Sequence, residues 1–359
     1  MLKIDKMLKQ AVDKGASDLH LRVPSRPVLR IDGILHVQES LAAMMPKDIE
    51  YAFESITTTD QRKTFYEEME LDFAYSVSKL ARFRVNALKQ RGSISLAFRQ
   101  VPFHIQSIDD LGLPQICKDL ILKPRGLILV TGPTGSGKTT TMAAMIDHLN
   151  EYAWKNIITI EDPIEYLYNN KNCLIAQRDL GDDTKSFAVA LKHALRHDPD
   201  VIAVGEMRDL ETVATAIAAA ETGHLVLGTL HTTDASQTVD RIIDIFPAPQ
   251  QAQIRLQLSQ VLEAVLSQTL LPRIKGGRIA AFEILTANPA MRNLIREHKT
   301  FELHNVMQLN SKDGMQNLDQ ALAQLVRDNI VSQEDAMAKS SNPERLTKML
   351  QFQFSAQPF

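Results

Sequence analysis

The sequence predicts a two-domain α/β protein, a small α+β domain followed by a larger core on a mainly parallel sheet. Three observations carry that expectation. A glycine-rich loop, Gly132-Pro133-Thr134-Gly135-Ser136-Gly137-Lys138-Thr139, lies between an apolar run (Leu127 to Val130) and a stretch with helical spacing (Thr140 to Ile146). From about residue 114 to about 285, apolar runs alternate with polar loops and helical patterns, the rhythm of a parallel sheet flanked by helices. Residues 1–100 instead carry short runs that alternate polar and apolar, with an Asp-Gly turn between two of them.

Composition agrees with a soluble chain of about two domains. Of 359 residues, 44% are hydrophobic and 23% charged, and the net charge is −3. That balance favours neither a nucleic acid nor an anionic membrane as partner, and a nucleic-acid translocase would want a basic channel. No window approaches the ~18 uninterrupted apolar residues of a membrane span. Residues 1–30 lack the apolar core and cleavage site of a signal peptide, so a cytoplasmic location is expected. Cys117 and Cys173 read as buried thiols; two cysteines cannot build a four-cysteine zinc site.

In the first domain, Ile4, Met7, Leu8, Ala11 and Val12 share a helical face that Gly15 terminates. Asp18 to Arg22 alternates as a half-buried strand, and Val28 to Ile31, Asp32-Gly33 and Ile34 to Val37 read as a hairpin. One polar helical stretch is expected over roughly Pro46 to Glu68. In Arg82-Phe83-Arg84-Val85-Asn86-Ala87 strand periodicity sends Phe83, Val85 and Ala87 to one face, Arg82, Arg84 and Asn86 to the other. Ile94, Leu96 and Phe98 alternate next, with Arg99 near the end. The arginines suit a solvated face with long aliphatic stems, or an anion. Residues 101–113, with Pro102 and Gly112 and no period, read as a linker, and residues 114–350 as the second domain. Its last part, 287–350, is helical: Leu318, Leu322, Leu325 and Val326 share a face, Ser332 with Asp335 resembles a capping box, and Asn342-Pro343 a capped start. Residues 351–359 read as a loose tail.

The chemistry is concentrated where strands end. Strand, glycine loop and helix in that order make a P-loop. Its glycines let backbone N–H groups face nucleotide phosphates, Lys138 reaches the β- and γ-phosphates, and the Thr139 hydroxyl can hold Mg²⁺. Thr140 follows in the first helical turn, whose positive end adds to the attraction for anions. Ile157 to Ile160 runs into Glu161-Asp162-Pro163-Ile164-Glu165. Val201 to Val204 runs into Gly205-Glu206-Met207-Arg208-Asp209, and Leu225 to Leu230 into His231-Thr232-Thr233. Ligands of parallel sheets bind beyond such carboxyl ends. Glu165 or Glu206 is the candidate to orient and deprotonate water. Glu161, Asp162 or Glu206 joins Thr139 as candidate metal ligand. His224 and His231, which bracket a strand, are candidate sensors of the γ-phosphate. Each carboxylate alone could be a helix cap or a loop ion pair; convergence of all the strand ends points to hydrolysis. The second acidic strand ends without the aspartate of a generic P-loop ATPase, so the roles of Glu165 and Glu206 stay open. A GTPase would need Asn-Lys-x-Asp, and Asn170-Lys171-Asn172-Cys173 lacks the aspartate.

At these residues the chain resembles the ATPases of type II secretion and type IV pili, over about residues 1–350. Gly132 to Thr139 matches their Walker A motif, Ile157 to Tyr166 an acidic box, Val201 to Asp209 an atypical Walker B, and Ala220 to Thr233 a histidine box. Ala290-Met291-Arg292-Asn293-Leu294-Ile295-Arg296-Glu297 resembles a signature of the pilus retraction branch, with Met291 for isoleucine. The zinc cysteines usual in the extension and secretion branch are missing. The resemblance implies a PAS-like domain before a RecA-like one. It implies an ATP- and Mg²⁺-dependent homohexamer that drives pilus retraction through an inner-membrane platform protein. Such a motor would be cytoplasmic and peripheral to the membrane, without inserting into it. In the ring, Arg82, Arg84 or Arg99 would complete a site in trans. Arg292 to Glu297 would couple hydrolysis to movement, and replacing Arg292 or Arg296 is expected to spare folding. A pilus extension or secretion ATPase, or a non-hydrolysing accessory subunit, is the alternative.

Overall fold

The computed structural model describes residues 4–31, 33–78, 80–101 and 105–351. The expected turn residue Asp32, Pro102 of the expected linker and the tail from 352 onward lie outside the described residues. The chain divides into two compact units, Met1–His104 with Glu165–Leu167, and Ile105–Ile164 with Tyr168–Phe359.

The first unit opens with α1 (Ile4–Asp13), whose Ile4, Met7, Leu8 and Ala11 are buried. Gly15 ends it at φ 67°, with the Ala16 amide bonding back to Ala11 O at 2.9 Å. The strands β1 (Asp18–Leu21), β2 (Val28–Ile31) and β3 (Ile34–Val37) follow. Then come α2 (Pro46–Ile56), α3 (Thr59–Glu68), β4 (Glu70–Val77), β5 (Ala81–Gln90) and β6 (Ser93–Val101). The six strands form an antiparallel sheet in the order β3-β2-β1-β6-β5-β4. The single helix expected over 46–68 is two. The Thr58 hydroxyl accepts the Gln61 amide at 3.2 Å while the Gln61 side chain accepts the Thr58 amide at 2.9 Å. That reciprocal cap starts a new helix and breaks the old one.

The second unit runs α4 (Ile108–Leu111), α5 (Ile116–Ile121), β7 (Gly126–Thr131), α6 (Lys138–Tyr152), β8 (Asn156–Glu161), β9 (Leu174–Asp179) and α7 (Phe187–Ala194). It continues with β10 (Val201–Val204), α8 (Leu210–Glu221), β11 (Leu225–Leu230), α9 (Ala235–Asp244), α10 (Ala248–Val261), β12 (Leu262–Pro272) and β13 (Arg278–Thr286). The sheet order is β13-β12-β7-β11-β10-β8-β9, parallel throughout except for β13. Every residue of β7, β10 and β11 is buried, as expected for strands covered on both faces. The helical end holds α11 (Pro289–Arg296), α12 (Leu303–Leu309), α13 (Leu318–Arg327), α14 (Gln333–Lys339) and α15 (Pro343–Gln351). Both expected caps are present: Ser332 accepts the Asp335 amide and Asn342 the Arg345 amide, each at 3.0 Å. No described helix is long and apolar enough to cross a membrane.

Candidate active site

The P-loop crosses the carboxyl edge of the second sheet between β7 and α6. Gly132 and Gly137 have φ of 140° and 92°, conformations that only glycine adopts without strain. A Cβ on Gly132 would stand 2.3 Å from the carbonyl oxygen of Gln268 on β12, so the loop lies against its neighbour strand with no room for a side chain. Pro133, Thr134 and Gly135 are exposed, Ser136 is buried, and Gly137, Lys138, Thr139 and Thr140 are half-buried at the start of α6. The Lys138 ammonium folds back over the loop, 2.8 Å from Gly132 O and 3.2 Å from Pro133 O.

Glu206 lies just beyond β10, with its side chain 19% exposed. It accepts a hydrogen bond from the Arg208 guanidinium, and His231 Nε2 stands 3.0 Å from its carboxylate. His231 Nδ1 stands 3.4 Å from the Thr134 hydroxyl. One imidazole therefore ties the phosphate loop to the acidic strand end. The cavity over these groups, about 630 Å³, is also lined by Gln237 and Arg241. The strand ends are held together by a Thr229 hydroxyl bond to Gly205 O and by the Gly205 amide on Ile160 O at 2.7 Å.

Glu161, at the end of β8, accepts from the Thr159 hydroxyl at 2.6 Å and from Gln177 Nε2 at 3.0 Å. Asp162 follows it and is exposed. Glu165 is exposed and groups with the first compact unit. Asp209 is the cap of α8. Burial pushes its carboxyl up, but the Thr212 hydroxyl and amide outweigh burial and hold it below the ordinary carboxylate range.

The structure corrects the expectation for His224. The residue precedes β11, and β11 runs parallel to β7 with Leu225 opposite Gly126. His224 thus lies at the amino edge, a six-residue strand or about 20 Å from His231. There its Nδ1 is 3.0 Å from Ala219 O at the end of α8.

The signature helix α11 buries Met291 and Ile295, with Asn288 capping its start through the Met291 amide at 2.7 Å. Leu294 packs on the core, and Asn293, Arg296 and Glu297 are exposed. Arg292 is not a free surface charge. It donates to Ser259 O (2.7 Å) and Gln260 O (2.5 Å) at the end of α10, and to Glu263 at 2.7 Å. Its removal would therefore leave the Ser259 and Gln260 carbonyls without this donor and Glu263 without one of its two cations.

In the first unit the predicted alternation on β5 is present: Phe83, Val85 and Ala87 are buried, Arg84 exposed and Arg82 half-buried. Arg99 pairs with the buried Asp18 at 2.9 Å. Burial pushes the Asp18 carboxyl up, but the Ser17 hydroxyl and the Arg99 guanidinium hold it below the ordinary range. Arg84 stands beside Arg99 in the ladder and makes no ion pair among the described residues.

Sequence reasoning missed Gln268, whose Nε2 donates to Ser136 O at 2.6 Å beneath the loop. Its signal was Ser267-Gln268-Thr269, three consecutive polar residues between the apolar runs Ala264 to Leu266 and Leu270 to Leu271.

A phosphate cradle with a lysine, an acidic strand end and a bridging imidazole on a RecA-like sheet define a P-loop ATPase. The profile of the type II/IV secretion system protein family matches residues 1–276, and the chain belongs to that family. It is 47% identical over 343 residues to the type IV pilus retraction ATPase PilT of Pseudomonas aeruginosa, covering 96% of this chain and 99% of that protein. It is also 47% identical over 322 residues to a twitching motility protein of Neisseria gonorrhoeae, covering 89% and 86%. The crystal structure of the pilus retraction motor PilT with bound ADP superposes with a TM-score of 0.90 at 47% identity, covering 97% of this chain and all of that one.

Proposed function

We propose that this chain is the ATP-hydrolysing motor of type IV pilus retraction. It works as a homohexamer on the cytoplasmic side of the inner membrane, against a platform protein of the pilus machinery. The observation that carries the reading is the Thr134–His231–Glu206 connection, which puts a carboxylate beside the phosphate loop of a chain nearly half identical to a retraction ATPase. In this reading the loop amides and Lys138 bind the phosphates of ATP. Glu206 orients the attacking water and takes its proton, and His231 holds Glu206 in register with the loop. Thr139 with Glu161 or Asp162 would hold Mg²⁺, which when bound neutralises charge between the β- and γ-phosphates. Arg84, exposed and without an ion pair among the described residues, is the arginine offered to a neighbouring subunit, with Arg82 and Arg99 beside it. Arg296 and its exposed neighbours on α11 carry the coupling.

Deleting the protein in its host and counting pili tests the function. Hyperpiliated cells that do not move on surfaces are expected. Cells without pili would mean extension instead.

A further inference from the structure

The loop's glycines explain why it can wrap phosphate, but not what holds it in that shape. β12 lies beside β7 in the sheet, with Ser267 opposite Thr131 and their hydroxyls 2.8 Å apart. The next residue, Gln268, is 3% exposed and lies directly under the loop. Its backbone oxygen sets the clearance at Gly132, its Nε2 lies 3.2 Å from where a Cβ on Gly137 would stand, and that same Nε2 holds Ser136 O at 2.6 Å. The Ser136–Gly137 peptide is planar and trans, so its N–H points opposite to its C=O. With the carbonyl drawn down toward β12, the Gly137 amide points up, out of the protein.

We propose that Gln268 is a positioning residue of the phosphate loop: its amide fixes the Ser136 carbonyl and thereby aims the Gly137 N–H at the phosphates. The proposal rests on the loop being the seat of the nucleotide. Folding alone does not account for a glutamine here. Gln268 Oε1 and Ser136 Oγ are both buried without a hydrogen-bond partner among the described residues, and an orphaned buried oxygen costs folding free energy. A methionine would fill nearly the same space with no such cost. The residue gives up stability and gains an oriented donor.

The test is titration of the full chain with ADP and with inorganic pyrophosphate, alongside thermal unfolding. Gln268→Met is expected to keep or raise Tm while weakening both ligands about tenfold, the effect of one misdirected hydrogen bond. Gln268→Glu, which keeps size and polarity but turns an acceptor toward Ser136 O, is expected to weaken them at least as much. A residue that merely supports the core would lower Tm and leave both affinities of the folded protein unchanged. Wild-type affinities in either folded variant overturn the proposal, as does failure of both variants to fold. ADP binding by the unaltered chain in the same experiment checks the loop's role separately.

Discussion

Replacing Arg292 by alanine removes three charge-assisted hydrogen bonds at once, two to the last carbonyls of α10 and one to Glu263. Bonds to a charged group contribute about 1.5–3 kcal/mol each when desolvated, and a cation at a helix carboxyl end adds about 0.3–1 kcal/mol. Two facts reduce that total. The Arg292 side chain is 29% exposed, so solvent screens it, and Glu263 keeps Lys123 at 2.5 Å and is not left without a counter-charge. A loss of about 2–3 kcal/mol remains, which in a unit of this size lowers Tm by about 4–12 °C. Arg296, exposed and bonded to Asn293 at 3.2 Å, should cost no more than about 0.5 kcal/mol on replacement. Calorimetry on the two variants reads the difference directly. Equal melting points for Arg292→Ala and the parent chain would refute the capping argument. So would an equal fall for Arg296→Ala. Arg296→Ala is then the cleaner probe of coupling: it should fold, bind nucleotide and impair retraction, and normal retraction would remove α11 from the motor.

Glu206→Gln should bind ATP while turning over at least about a hundredfold more slowly, measured by phosphate release; near-normal turnover would transfer the base to another group. Glu283 on β13 is the acid that burial most clearly perturbs. Desolvation, with Asp234 and Asp319 facing it, pushes its carboxyl up to about 7, although the amides of Ala235 and Leu318 bond to it. The unfolded chain ionises it near 4.5, so the native state holds the extra proton between those values. Stability tied to this group is therefore full below about 4.5 and falls as pH rises toward 7, by about 3 kcal/mol in all. Denaturant midpoints for Glu283→Gln across that range should flatten; an unchanged slope would place the titration elsewhere.

Much of the second unit was legible because its signals are local. Two-sided burial makes β7, β10 and β11 unbroken apolar runs, and the loop glycines sit at fixed offsets. The Thr58–Gln61 cap was legible too, four residues that divide a helix the polar composition alone ran together. β4 alternates Leu71, Phe73, Tyr75 and Val77 and could have been read from that period. His224 was misplaced for a different reason. Bracketing a strand places two residues at opposite ends of it, and chain direction decides which one reaches the carboxyl edge. Gln268 and Arg292 needed information no period carries: that β12, the tenth element after β7 along the chain, returns to lie against β7, and that α11 closes on the end of α10. Non-local adjacency gave both side chains partners that no local pattern announces.

β12 carries consequences at both ends. Glu263, near its start, is gripped by Arg292 of the signature helix, and Gln268, five residues or about 17 Å further on, props the phosphate loop. Between them the strand is laddered to β7 on one side and β13 on the other, which leaves it little axial give. The helix and the loop thus share one stiff member, like two fittings bolted to a single beam. A displacement imposed at either fitting is met by the same backbone.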